Sequence, residues 1–161
     1  MLPDPEIFAL AKLVGERLVK LRKSIAVAES CTGGLLGAAL TDVPGSSAYF
    51  LGGVISYADQ VKRDQLGVSE ATLRRYGAVS EQTAAAMASG VRQLLHADVG
   101  VSITGVAGPD AEGSKLVGLT FIGIAAAVST THRFQWTGDR WDNRRRSVIA
   151  ALELLVRAPE L

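Results

Sequence analysis

The stretch Ala28-Glu29-Ser30-Cys31-Thr32-Gly33-Gly34 sets a serine, a cysteine and a threonine in a row ahead of two glycines. Each of the three can attack an electrophilic carbon once a base removes its proton. Their settings differ: Ser30 ends a predicted strand, Thr32 stands where it would cap the helix that follows, and Cys31 between them points differently from both. The alternative is that all three are turn and capping residues.

A serine nucleophile needs a base, and histidine is scarce. His96 closes a helix in Leu94-Leu95-His96-Ala97-Asp98, and His132 lies in an edge-like strand, Thr130-Thr131-His132-Arg133-Phe134. Neither sits in a loop suited to catalysis, and Gly-x-Ser-x-Gly is absent. Lys62, in Tyr57-Ala58-Asp59-Gln60-Val61-Lys62, follows a strand end by one helical turn, and a Ser-Lys pair is a known variant of the triad logic. To act as a base it must lose about 4 kcal/mol of preference for its charged form, through burial or a cationic neighbour. Otherwise it is an ordinary surface lysine.

Two further stretches bear on anions. Gly108-Pro109-Asp110-Ala111-Glu112-Gly113-Ser114-Lys115 looks like a phosphate loop but has Ser and Lys in the wrong order, and Gly-x-Gly-x-x-Gly is absent, so triphosphatase and dinucleotide folds are set aside. In the segment from Asp139 to Arg146, Trp141 and Arg144 share a helical stripe with Val148, Leu152 and Leu155, which turns Arg144 toward the core. Cations at a helix N-terminus oppose its dipole. Arg140 and Arg144 therefore call for a carboxylate partner, Asp139 or Asp142, or for a bound anion such as a substrate phosphate.

The elements that must position these groups follow from periodicity. A helix is expected over 6–23, a strand over 24–30 and a buried helix over 33–40; a strand over 51–57 and a helix over 58–66 repeat the pattern. Ser69 and Ser80 cap two more helices, the second running to about Leu95. A strand over 98–104 leads into a glycine-bearing loop, two strands over 116–126 and 130–136 make a hairpin, and a helix over 141–157 closes the chain. Interleaved helices and strands predict an α/β fold: residues 1–161 as a single layered domain, with a mixed, mostly parallel sheet flanked by helices. Ser30, Tyr57 and Thr104 then fall at the carboxyl ends of three strands, where ligands gather in open α/β sheets.

Composition narrows the classes. Seventeen Lys+Arg against sixteen Asp+Glu give +1 over 161 residues, which offers no field for a nucleic acid or an anionic membrane. Cys31 is the only cysteine, so an intramolecular disulfide and a thiolate zinc cluster are excluded and the cytoplasm is the expected compartment. Acids and prolines at the N-terminus do not resemble an export signal. The nearly apolar run 117–128 falls short of the ~20 residues a membrane span needs.

Taken together, six ordered motifs resemble the CinA C-terminal domain family, found in competence/damage-inducible proteins and also alone as nicotinamide-nucleotide amidase. They are Ala28 to Gly34, Leu40 to Ser47, Phe50 to Tyr57 with Lys62, Gly77 to Ser80, Ile103 to Pro109, and Gly138-Asp139-Arg140 followed by Arg144. The resemblance covers nearly the whole chain. It implies hydrolysis of the carboxamide of nicotinamide mononucleotide to nicotinate mononucleotide and ammonia, with no metal or organic cofactor, by a homo-oligomer, a dimer or higher. It implies Ser30 as nucleophile, Lys62 as base, and Tyr57 and Thr104 as their hydrogen-bonding partners. Backbone N–H groups of the turn from Ser30 to Gly34 would stabilise the oxyanion. Cys31, Thr32, Gly33, Gly34, Gly105 and Gly108 would border the nucleotide, with Cys31 a small buried apolar residue, and Arg140 and Arg144 would meet the phosphate or support the fold.

The chain departs from the family pattern after Gly108-Pro109, where a glycine pair and then Lys-Pro are usual and Asp110 to Leu116 stand instead. That loop is the main support for a competing class, a nucleotide-binding or regulatory module that keeps the pocket without turnover. The family's other common domain, which resembles molybdopterin-binding proteins, has no counterpart in these residues, and this domain is expected to act alone or with a separate partner.

Overall fold

The computed structural model describes residues 3–159 and 161. Its elements are α1 (Pro5–Leu21), β1 (Ile25–Glu29), α2 (Leu35–Thr41), a 3-10 turn (Ser46–Ala48), β2 (Phe50–Ile55), α3 (Asp59–Leu66), α4 (Glu70–Tyr76), α5 (Glu81–Leu94), β3 (Val99–Gly105), β4 (Leu119–Ala125), β5 (Thr130–Gln135) and α6 (Arg140–Arg157). Helix starts carry the expected signals. Asp4 accepts from Glu6 N and Ile7 N ahead of Pro5, Ser69 accepts from Thr72 N, and Ser80 accepts from Thr83 N.

One sheet runs in the order β2-β1-β3-β4-β5. β1 pairs in parallel with β2 and β3, while β4 and β5 are antiparallel, so the parallel strands run from the β2 edge to the central β3 and the hairpin forms the other edge. β4 begins at Leu119 and not at Leu116, because the preceding residues are drawn into the turn in which Gly118 N donates to Val106 O at 2.7 Å.

All five residues of β1 are buried, so both sheet faces are covered. Ile25 and Val27 point into the larger core with Leu18, Leu36, Val148 and Leu152, from α1, α2 and α6. Ala26 and Ala28 point the other way, toward Leu66 of α3 and Met87 and Val91 of α5. This second face is built of small residues, which lets α5 lie close; Ser102 Oγ of β3 donates to Ala84 O of α5 at 2.6 Å. No helix among the described residues is long and apolar enough to cross a membrane.

α3 carries Lys62, and its distance from α5 is set by Gly90. A Cβ at that position would stand 1.9 Å from Leu66 O, a backbone atom that cannot rotate aside. Gly90→Ala should therefore destabilise the domain by about 1–3 kcal/mol, as overpacking does. Urea denaturation measures this, and an unchanged midpoint would mean that α3 moves freely relative to α5.

Candidate active site

The turn after β1 is held from below by one buried carboxylate. Gly33 and Gly34 have φ of 61° and 100°, conformations that favour glycine, and they delay the start of α2 to Leu35. Thr32 is consequently not the helix cap expected from its spacing: the N-cap is Gly34, and Thr32 Oγ1 is buried without a hydrogen-bond partner. Glu29, 1% exposed, does the capping, with Oε2 accepting from Gly34 N and Leu36 N, both at 3.1 Å, and Oε1 from Gly37 N at 2.8 Å. A carboxylate satisfies these orphan donors and complements the helix dipole. Glu29 closes β1 as its sequence predicts, and the only mark of its capping role in the sequence is a lone acid in an apolar strand.

Ser30 follows, anchored by its own N–H on Ile103 O at 2.9 Å. Gly33 N donates to Ser30 O at 3.1 Å, and the N–H groups of Cys31 and Thr32 have no main-chain acceptor among the described residues. Lys62, also 1% exposed, reaches the turn from α3. Its Nζ donates to Ser56 O at 2.8 Å and Tyr57 O at 3.0 Å, and stands 3.3 Å from Ser30 Oγ. Asp59 lies 3.6 Å from the same nitrogen. Burial pushes the Lys62 pKa below the ordinary lysine value, and the Asp59 and Glu112 carboxylates oppose that shift without cancelling it. Burial also pushes the Cys31 thiol up to about 11, so it stays protonated at neutral pH and is a poor nucleophile.

A cleft of about 230 Å³ opens above this pair, bordered by Ser30, Cys31, Lys62, Tyr57, Gly105, Gly108 and Arg140 among the residues singled out from the sequence. Asp59, Asp110 and Glu112 border it too, the last two from the loop that departs from the family pattern. Tyr57 is 60% exposed; its carbonyl, not its phenol, touches Lys62, and its hydroxyl accepts from Arg140 Nη2 at 3.3 Å. Thr104 stands behind the wall, where its hydroxyl is spent on Ala78 O at 2.7 Å. Arg140 Nη1 also donates to Gly108 O at 2.6 Å.

Arg144 braces the turn from outside the cleft. Its Nη2 donates to Thr32 O at 2.9 Å, with the guanidinium 4.8 Å from the Trp141 ring centroid. The expected core stripe holds only from Val148 onward, since Trp141 in the first turn of α6 is 69% exposed. Asn143, 2% exposed, is the inward residue there, with Nδ2 donating to Ala107 O at 3.0 Å and Oδ1 accepting from Gly138 N at 3.1 Å. Neither Asp139 nor Asp142 pairs with Arg140 or Arg144: Asp139 caps α6 through Asp142 N, and Asp142 pairs with Arg146 at 2.6 Å. No group of three or more His, Cys, Asp or Glu among the described residues could hold a metal.

These features define an α/β domain whose polar cleft sits at the carboxyl ends of its parallel strands, with a buried lysine against a serine. The chain belongs to the CinA C-terminal domain family, whose model matches residues 7–158. A CinA-like protein of Chlorobium limicola is 50% identical over 150 residues, covering 89% of this chain and 35% of that protein. A CinA-like protein of Thermotoga neapolitana is 44% identical over 147 residues, covering 91% and 36%. The chain thus spans about a third of the length of the curated relatives it matches. Among solved structures, the competence/damage inducible protein CihA from Agrobacterium tumefaciens superposes with a TM-score of 0.93 at 38% identity, over 97% of each chain. A CinA superfamily protein from Klebsiella pneumoniae gives 0.91 at 32%, over 93% of this chain and 95% of that one.

Replacing Glu29 by Gln would turn an amide N–H toward backbone donors and remove the charge from the helix start. The expected loss is about 2–4 kcal/mol of stability, read by chemical denaturation. A variant as stable as the parent would show that packing alone fixes the start of α2.

Proposed function

We propose that the chain is a nicotinamide-nucleotide amidase that hydrolyses the carboxamide of nicotinamide mononucleotide to nicotinate mononucleotide and ammonia. The observation that carries this reading is the 3.3 Å contact between Ser30 Oγ and the buried Nζ of Lys62. The Ser56 and Tyr57 carbonyls can only accept, so they take two Nζ hydrogens. In the neutral amine the remaining position is the lone pair, and it faces Ser30.

Ser30 Oγ bonds to the amide carbon as its proton passes to Lys62 Nζ. Charge develops on the carbonyl oxygen, for which the free N–H groups of Cys31 and Thr32 are the available donors. The C–N bond then breaks, the departing nitrogen takes the proton back from Lys62 and leaves as ammonia, and Ser30 holds the nicotinoyl ester. Water gives its proton to the same amine, attacks the ester and releases the acid, while Ser30 regains its hydrogen.

Arg140 is the phosphate ligand in this reading, since it borders the cleft; Arg144 supports the turn. Thr104 positions the Ala78 wall, and Tyr57 aligns Arg140. The working form is a homo-oligomer, for which Leu51 and Ile55, 49% and 57% exposed on edge strand β2, offer apolar surface. One observation favours a binding or regulatory module without turnover: the Asp59 carboxylate beside Lys62, which stabilises the ammonium.

Ammonia release on adding nicotinamide mononucleotide separates the two. Ser30→Ala should abolish it, Cys31→Ala should keep most of it, and Lys62→Met should cost about 10²-fold or more in turnover. Because the Lys62 pKa is lowered and the neutral form is the base, kcat/KM should rise with pH through an ionisation below the ordinary lysine value of 10.5 and level off once that ionisation is complete. A profile still climbing in the ordinary lysine range would contradict the assignment of the base.

The two arginines should separate by substrate. Arg140→Gln should lower kcat/KM for nicotinamide mononucleotide by about 10-fold to 100-fold and scarcely affect nicotinamide riboside, which lacks the phosphate. Arg144→Gln should lower both alike through the turn it braces. Equal losses for Arg140→Gln would remove that residue from the phosphate site.

A further inference from the structure

Three carboxylates border the cleft, those of Asp59, Asp110 and Glu112, against the cations Lys62 and Arg140. When Lys62 is neutral, as a base must be, the three face a single guanidinium, although the chain as a whole carries +1. Asp59 is engaged with Lys62 Nζ at 3.6 Å. Asp110 and Glu112 have no ion-pair partner among the described residues.

Their placement is structured. Glu112 N donates to Lys115 O at 3.1 Å and Lys115 N to Glu112 O at 2.9 Å. Lys115, the cation nearest in sequence, sends its Nζ to Tyr76 O at the end of α4, at 2.7 Å, where it meets the negative pole of that helix. The same contact ties the loop to the body of the domain and keeps this lysine from neutralising Glu112.

Such a cleft repels a phosphate-bearing ligand unless the ligand also brings positive charge. We infer that Asp110 and Glu112 determine specificity, selecting nucleotides whose amide-bearing ring is cationic, a pyridinium carboxamide, over the same nucleotide with an uncharged ring. This rests on the amidase reading of the site. Arg140 supplies the opposite sign for the phosphate, so the cleft matches a zwitterion. Both carboxylates are exposed to water, which limits their joint effect to about 10-fold in affinity.

The test uses the full chain carrying Ser30→Ala, so that binding is read without turnover. Calorimetry gives Kd for nicotinamide mononucleotide and for its 1,4-dihydro form, which differ in ring charge and little in size. The oxidised form should bind about 10-fold more tightly, and adding Asp110→Asn with Glu112→Gln should remove most of that preference while leaving the dihydro form within about 2-fold. No initial preference, a preference that survives the double substitution, equal losses on both ligands, or no binding of either overturns the inference. Failure of the amidase reading is recorded separately, as absence of ammonia from the unsubstituted chain whatever the binding ratio.

Discussion

The site depends on a carboxylate that never reaches the cleft. Glu29 is buried at the end of β1, paired with Ile55 of β2 and Ile103 of β3 in register. Its side chain holds three backbone N–H groups at the start of α2, and its carbonyl accepts from Ser56 N at 2.7 Å. One residue therefore fixes both the turn that carries Ser30 and the strand end that carries the carbonyl binding Lys62. A buried carboxylate without such donors would cost several kcal/mol, on the order of the whole stability of a domain. The helix start is thus as much a requirement of Glu29 as Glu29 is of the helix start.

Glu29 and Lys62 are two buried ionisable groups near one serine, and they do not form an ion pair. Each is satisfied by main chain instead, the acid by donors and the lysine by acceptors. A direct pair would stabilise the ammonium strongly and oppose the lowering of the Lys62 pKa. Neutral carbonyl dipoles position Nζ with a weaker preference for the charged form, so burial still dominates and the pKa falls. The carboxylate that does approach, Asp59, is 62% exposed at its side chain, and water screens its pull.

Much of this was legible in the sequence. Ser30 follows the end of β1 and Lys62 lies about one helical turn past the end of β2, and the short apolar runs of the strands and the 3.6 period of the helices identify those ends without tertiary information. What stayed hidden is what main chain does: the Ser56 and Tyr57 carbonyls leave no mark in residue type, and neither do the N–H groups of Cys31 and Thr32. Thr32 was assigned as cap because capping residues are recognised by type and distance from an apolar run, whereas two consecutive left-handed glycines move the helix start. The stripe that would turn Arg144 toward the core holds in α6 only from Val148 onward. Asp110 and Glu112 lie in an irregular loop, whose path over the cleft no periodicity encodes.

The two buried side-chain polar atoms without partners among the described residues, Thr32 Oγ1 and Arg144 Nε, both belong to this turn and its brace. Each costs about 1–3 kcal/mol in an otherwise well-satisfied interior. Arg144 is oriented by Thr32 O on one side and the Trp141 ring on the other, and that orientation leaves Nε over. Anchoring the turn through the Thr32 carbonyl from outside, and through Glu29 from below, leaves its outward N–H groups uncommitted. The one internal bond of the turn, Gly33 N to Ser30 O at 3.1 Å, uses neither of those donors.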